Sequence, residues 1–188
     1  MTDFTIISSV VDDSSLQLMG VSDLELVAID GQNFLFVAAE ADGAITSFAV
    51  SGNQSPALVD TALFSTVSGT FTVDQLNITD VNGALTLLPS ARYDDEAATY
   101  LIDGTGNIST PLRQTSGAAN IGNLALTHSV IIAGKTYLYA VERGVPGIAS
   151  YWMQPGDTFS TQVQYSGNSF DFFGDIAAFA SVSVGLES

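Results

Sequence analysis

His128, the one histidine of this 188-residue chain, and the carboxylate of Asp80 are the two side chains whose types and spacing could do chemistry together. Each lies four residues past the end of a recurring tetrapeptide, Val73-Asp74-Gln75-Leu76 for Asp80 and Ile121-Gly122-Asn123-Leu124 for His128. A carboxylate beside an imidazole can ligate a metal or serve as an acid–base pair. Two ligands make a poor metal site, and a lone histidine in a strand is more often hydrogen-bonded structure. Ser129 adds no triad, because adjacent strand residues point to opposite faces. Asp80 and His128 are therefore read as channel-lining candidates, with no catalytic residue and no metal ligand assigned.

Acidic turns offer the other chemistry. Asp103-Gly104-Thr105-Gly106-Asn107 places oxygens at alternate positions, like the start of a calcium loop, but lacks the length and the closing Glu of an EF-hand. A hairpin turn explains it as well. Asp94-Asp95-Glu96 reads as a solvated tip. With no cysteine in the chain, disulfides, thiolate zinc sites and cysteine nucleophiles are excluded.

The elements that must position these residues repeat. Phe34–Phe48, Thr86–Tyr100 and Tyr137–Tyr151 spell the same strand pair, their closing aromatics 52 and 51 residues apart. The tetrapeptide recurs as Val21-Ser22-Asp23-Leu24, then at 73–76, 121–124 and Phe173-Gly174-Asp175-Ile176, with last positions 52, 48 and 52 residues apart. Each copy leads into an alternating apolar run, the signal of a half-buried strand. Asp30-Gly31, Asp42-Gly43 and Asn82-Gly83 supply tight-turn chemistry between runs. Four short antiparallel strands per period of about fifty residues describe a blade of a β-propeller.

The expected fold is all-β: a partial propeller of three four-stranded blades over 21–63, 73–115 and 121–165, with an incomplete fourth over 173–188. Phe48, Tyr100 and Tyr151 should hold equivalent third-strand sites. Glu40 should approach Arg92, with Arg143 next in the series. Phe4–Val11 looks like an outer strand. Propellers close with about four to eight blades, so a single domain cut from a longer chain is the favoured account. Self-association through the open ends is the alternative.

Charge narrows the partners. Four Lys and Arg against twenty Asp and Glu give a formal net charge of −16. Such a surface repels phosphate, so neither nucleic acid nor an anionic membrane is expected as a partner, and an unidentified protein or small molecule is left. Met1-Thr2-Asp3-Phe4 lacks the basic start of a secretory peptide, and the uncharged stretch 114–134 is too polar to span a bilayer.

The run Val21-Ser22-Asp23-Leu24 followed by Phe34–Phe48 resembles the N-terminal propeller region of secreted hemolysin-type (RTX) calcium-binding proteins of marine α-proteobacteria. The resemblance implies a non-catalytic scaffold module, secretion by a type I-like route and, in longer relatives, calcium; a cytoplasmic location is the alternative. The glycine-rich nonapeptide that binds calcium in that family is absent, so no cofactor is assigned to this chain. A looser similarity runs to lactonase-like propeller hydrolases, where Asp80 with His128, plus Glu25 or Asn77 at a different offset, would form the channel-mouth site.

Overall fold

Three four-stranded antiparallel sheets make up the computed structural model, which describes residues 8–13, 15–63, 72–92, 98–113, 124–142, 147–154 and 158–166. The first contains β1 (Val21–Ile29), β2 (Gln32–Ala39), β3 (Ala44–Val50) and β4 (Ala57–Leu63). The second contains β5 (Thr72–Val81), β6 (Ala84–Arg92), β7 (Ala98–Leu101) and β8 (Leu112–Arg113). The third contains β9 (Leu124–Ile132), β10 (Lys135–Glu142), β11 (Gly147–Gln154) and β12 (Thr158–Ser166). In every sheet the strands pair in chain order, the up-and-down meander of a propeller blade. The fourth unit expected over 173–188 lies outside the described residues. So do Phe4–Ile7 of the leading strand and the side chains of Arg92 and Arg143, while Ser8–Val11 form no strand.

Local chemistry sets each hairpin. Asp30-Gly31, Asn82-Gly83 and Ala133-Gly134 join the first two strands of the blades with positive φ at both turn residues, the twist that a two-residue hairpin needs. Ala133, at φ 51°, fills without a compensating side chain the place that Asp30 and Asn82 take in the other blades. Phe48, Tyr100 and Tyr151 occupy one equivalent site, opposite Leu35, Leu87 and Leu138, and all three are buried.

The third blade corrects the repeat alignment. A bulge falls at Ser22 in β1 and at Asp74 in β5, each two residues before the tetrapeptide's last position. In β9 the bulge falls at Ala125, and the hairpin turn comes nine residues after Leu124, against six after Leu24 and Leu76. The structural mate of Leu24 and Leu76 is thus Thr127, at spacings of 52 and 51, and the third tetrapeptide is Leu124-Ala125-Leu126-Thr127. Leu124 imitates the pattern three residues early.

The core lies between the sheets. Val27, Phe34, Phe36 and Ile45 from the first blade meet Leu76, Leu87, Tyr100, Ile102 and Ile108 from the second. Leu88 of the second meets Leu138, Tyr151 and Met153 of the third. Each such side chain contributes about 1.5–3 kcal/mol on full burial, so the blades hold one another rather than standing alone.

Candidate functional site

Side-chain bridges tie β1 to β5 and β5 to β9, which makes these three the inner strands around the axis. Ser22 Oγ donates to the Val73 carbonyl, and Asp23 Oδ2 accepts the Leu76 N–H at 2.7 Å. One blade on, Gln75 Oε1 accepts the Thr127 N–H at 2.9 Å, and Ser129 Oγ donates to Asn77 Oδ1 at 2.9 Å. The third residue of one tetrapeptide thus grips the backbone at the fourth residue of the next. Inner strands have an edge whose N–H groups no sheet partner satisfies, and the clasp satisfies one of them.

The same register assembles a polar row. Glu25, Asn77 and His128 each follow the clasped position of their blade, so they stand at one level on three neighbouring inner strands. Alternation sends Thr127 and Ser129 toward the second blade, and His128 between them to the third blade's other face. Glu25 faces the seam between the first two blades, half-buried, and Asn77 faces the next seam, buried. Burial, then the charge of nearby Asp23, raises the pKa of Glu25 above the ordinary carboxylate range, so it holds its proton more readily.

Asp80 belongs elsewhere. Its Oδ1 accepts the Gly83 N–H at 2.7 Å, closing the β5–β6 turn, and its carbonyl accepts Thr136 Oγ1 at 2.7 Å. Thr136 pairs with Ile131, which puts Asp80 level with Ile131 and three residues, about 10 Å along the strand, from the level of His128. The structure does not align the two; it aligns His128 with Asn77 and Glu25. The offset from the hairpin turn, rather than from Leu124, is the sequence signal that would have revealed this.

The loop Asp103–Asn107 is self-contained. Asp103 Oδ1 accepts the N–H groups of Thr105 and Asn107 and the Thr105 hydroxyl, while Oδ2 accepts Asn107 Nδ2 at 2.9 Å. The Asn107 side chain first, and then these other donors, hold the carboxyl well below the usual range. Its oxygens are thereby used in shaping the loop. Asp60 Oδ2 of the first blade accepts the Ile108 N–H at 2.9 Å, and Gly106 lies against the Phe34 ring, so the loop is a buttress between blades. Among the described residues no three His, Asp or Glu side chains gather as a metal site.

No protein-family model matches the chain, and no curated protein matches it. Solved structures do. An exo-β-1,3-galactanase from Clostridium thermocellum superposes with a TM-score of 0.60 at 8% identity, over 82% of this chain and 37% of that one. The exo-β-1,3-galactanase of Phanerochaete chrysosporium gives 0.57 at 9% identity, over 82% and 38%. The periplasmic gluconolactonase of Pseudomonas aeruginosa gives 0.56 at 16% identity, over 77% and 40%. The fold is a β-propeller arc. It spans about two fifths of the length of these relatives. Nothing among them supports the hemolysin-type resemblance.

Proposed function

We propose that this arc belongs to a propeller hydrolase acting on a neutral sugar or sugar lactone. The carrying observation is the row Glu25–Asn77–His128 on adjacent inner strands, within a fold shared with galactanases and a gluconolactonase. Glu25, disposed by burial to hold its proton more readily, is suited to donate it to a departing oxygen, while His128, on the third blade's far face, would bind substrate rather than pair with it. The Asn77 amide would orient substrate hydroxyls. A net charge of −16 disfavours anionic substrates, hence the choice of neutral ones. Asp23 is engaged with the Leu76 N–H and has a structural part.

The single histidine makes the test direct, because its ring protons give NMR signals with no competing residue. Titration with galactose, β-1,3-galactotriose or glucono-lactone should shift them, and Glu25→Gln should lower any turnover by about 100-fold or more. A folded chain whose histidine signals ignore all three compounds, and which hydrolyses none, would overturn the proposal.

A further inference from the structure

The hairpins that join the first two strands of the blades share a backbone and differ in side chains. Asp30-Gly31, Asn82-Gly83 and Ala133-Gly134 turn at φ 49° and 82°, 55° and 86°, and 51° and 73°. Asn82-Gly83 is the chain's one Asn-Gly pair, and both residues are exposed. Such a pair carries intrinsic chemistry. The glycine nitrogen, with no side chain beside it to block approach, can attack the asparagine amide carbon. A nitrogen–carbon bond forms, and the amide group leaves as ammonia with the proton of the glycine N–H. Water then opens the resulting succinimide ring at either carbonyl, giving aspartate or isoaspartate at position 82. A carboxylate offers no comparable leaving group, so Asp30-Gly31 closes such a ring far more slowly, and Ala133-Gly134 cannot close one.

The fold controls the nucleophile. The β5–β6 ladder ends at the Val81–Ala84 pair, so the Gly83 N–H lies beyond it with no ladder partner. Asp80 Oδ1 takes that N–H at 2.7 Å. The equivalent positions, two residues before the other turns, are Ala28 and Ile131, whose side chains have no acceptor. A bond to a charged acceptor is among the stronger hydrogen bonds. It stabilises the N–H against loss of its proton and ties the nitrogen to the β5 side of the turn. We propose that Asn82 is a site of spontaneous deamidation and that Asp80 restrains it by holding the Gly83 N–H. This gives a role to a carboxylate that the sequence singles out and the polar row leaves unused. The consequence reaches beyond the turn. Aspartate would add a negative charge beside Asp80, and isoaspartate would lengthen the hairpin backbone by a methylene. The Asp80 carbonyl accepts Thr136 Oγ1 of the third blade at 2.7 Å, so either product disturbs a bond of the second seam.

Peptide mapping of the folded full chain held at neutral pH reads conversion at position 82 directly, as separated aspartyl and isoaspartyl peptides. Asp80→Ala should speed conversion about 10-fold or more, the worth of a hydrogen bond to a charged acceptor. Asp80→Asn keeps an oxygen that can accept the Gly83 N–H and should recover part of the restraint. In concentrated urea the restraint is gone, so wild type and Asp80→Ala should convert at one rate. Hydrogen exchange at Gly83 should rise in Asp80→Ala while the paired Asn77 and Leu88 keep their protection, the mark of one lost bond in an intact hairpin. Should Asp80→Ala open the whole hairpin, Asp80→Asn carries the test against wild type, and it should still convert faster. Equal folded-state rates in wild type and Asp80→Ala would overturn the proposal. So would a slower Asp80→Ala, which would make the carboxylate a base that removes the proton. A difference that persists in urea would overturn it too, by tracing the effect to local sequence, as would Asp80→Asn converting no more slowly than Asp80→Ala.

Discussion

At the same register, the seam between the first and second blades and the seam between the second and third are built from different materials. The first is ring and hydrocarbon at its centre, Phe34, Phe36 and Ile45 against Leu87 and Tyr100, with its cross-blade hydrogen bonds made by Ser22, Asp23 and Asp60. The second mixes Leu88, Leu138 and Tyr151 with buried Asn77, Thr86, Ser90, Thr127 and Thr136, four of which make cross-strand or cross-blade hydrogen bonds through side chain or backbone. Among the described residues each seam keeps one buried hydroxyl without a partner, Ser47 Oγ in the first and Thr127 Oγ1 in the second. One repeat backbone thus accepts either an apolar or a hydrogen-bonded filling, provided the inner-strand clasp fixes the register. The difference teaches that the clasp specifies alignment, while the filling sets how much each seam stabilises.

The sharpest way to break that contrast is to empty each seam. Phe36 is fully buried, and Phe36→Ala should cost about 3–5 kcal/mol. Leu88→Ala, in the mixed seam, removes less volume and should fall at the low end of about 2–5 kcal/mol. Urea denaturation of the two variants checks this; equal losses would show that the seams do not differ in apolar contribution. Gly106→Ala attacks the first seam from outside. The added Cβ would lie 2.4 Å from Phe34 Cδ1, at a φ of +82° that L-residues avoid. Overpacking and backbone strain together predict a loss of about 2–4 kcal/mol, while Gly52→Ala, where nothing lies within 4 Å, should suffer the strain alone.

The blades were legible because strand pairs recur in composition: Phe34–Phe48, Thr86–Tyr100 and Tyr137–Tyr151 need no gap, and each Gly-containing turn announces a hairpin. The site was legible only in its members. Glu25, Asn77 and His128 could be named, but their alignment depended on a three-residue choice in the third unit, where Leu124 and Thr127 both follow acceptable patterns. Seam partners such as Gln75 with Thr127 are about a blade apart in sequence. No local periodicity reports such a contact, because it arises only when whole sheets stack.

The clasps themselves come next in size. Asp23→Ala leaves the Leu76 N–H without its acceptor inside the apolar seam, and should cost about 1–3 kcal/mol. Gln75→Ala, where the neighbours include further hydrogen-bonding groups, should cost about 0.5–1.5 kcal/mol. Amide exchange at Leu76 and Thr127 reads each clasp separately. Should the two variants exchange equally fast at both amides, the clasps would not be local to their seams.

The smallest expected effect is one of pH, and it separates the seams by sign. The clasp-following position is a carboxylic acid in the first seam, Glu25, and an amide in the second, Asn77. Burial and the Asp23 charge raise the pKa of Glu25 in the folded chain above the ordinary value of 4.5. The folded state therefore binds this proton more tightly than the unfolded state does. The associated stability is fully present below pH 4.5 and is lost as pH rises through the folded value. Asp103 works the other way, since its lowered pKa contributes stability above the ordinary value of 3.8 that is lost as pH falls through the folded one. Glu25→Gln should remove the high-pH loss and leave the acid-side loss, and Asp103→Asn should do the reverse. Melting temperatures from pH 3 to pH 8, about the span over which carboxylates titrate, measure both. If Glu25→Gln leaves the profile above pH 4.5 unchanged, Glu25 is too well solvated to distinguish the first seam from the second.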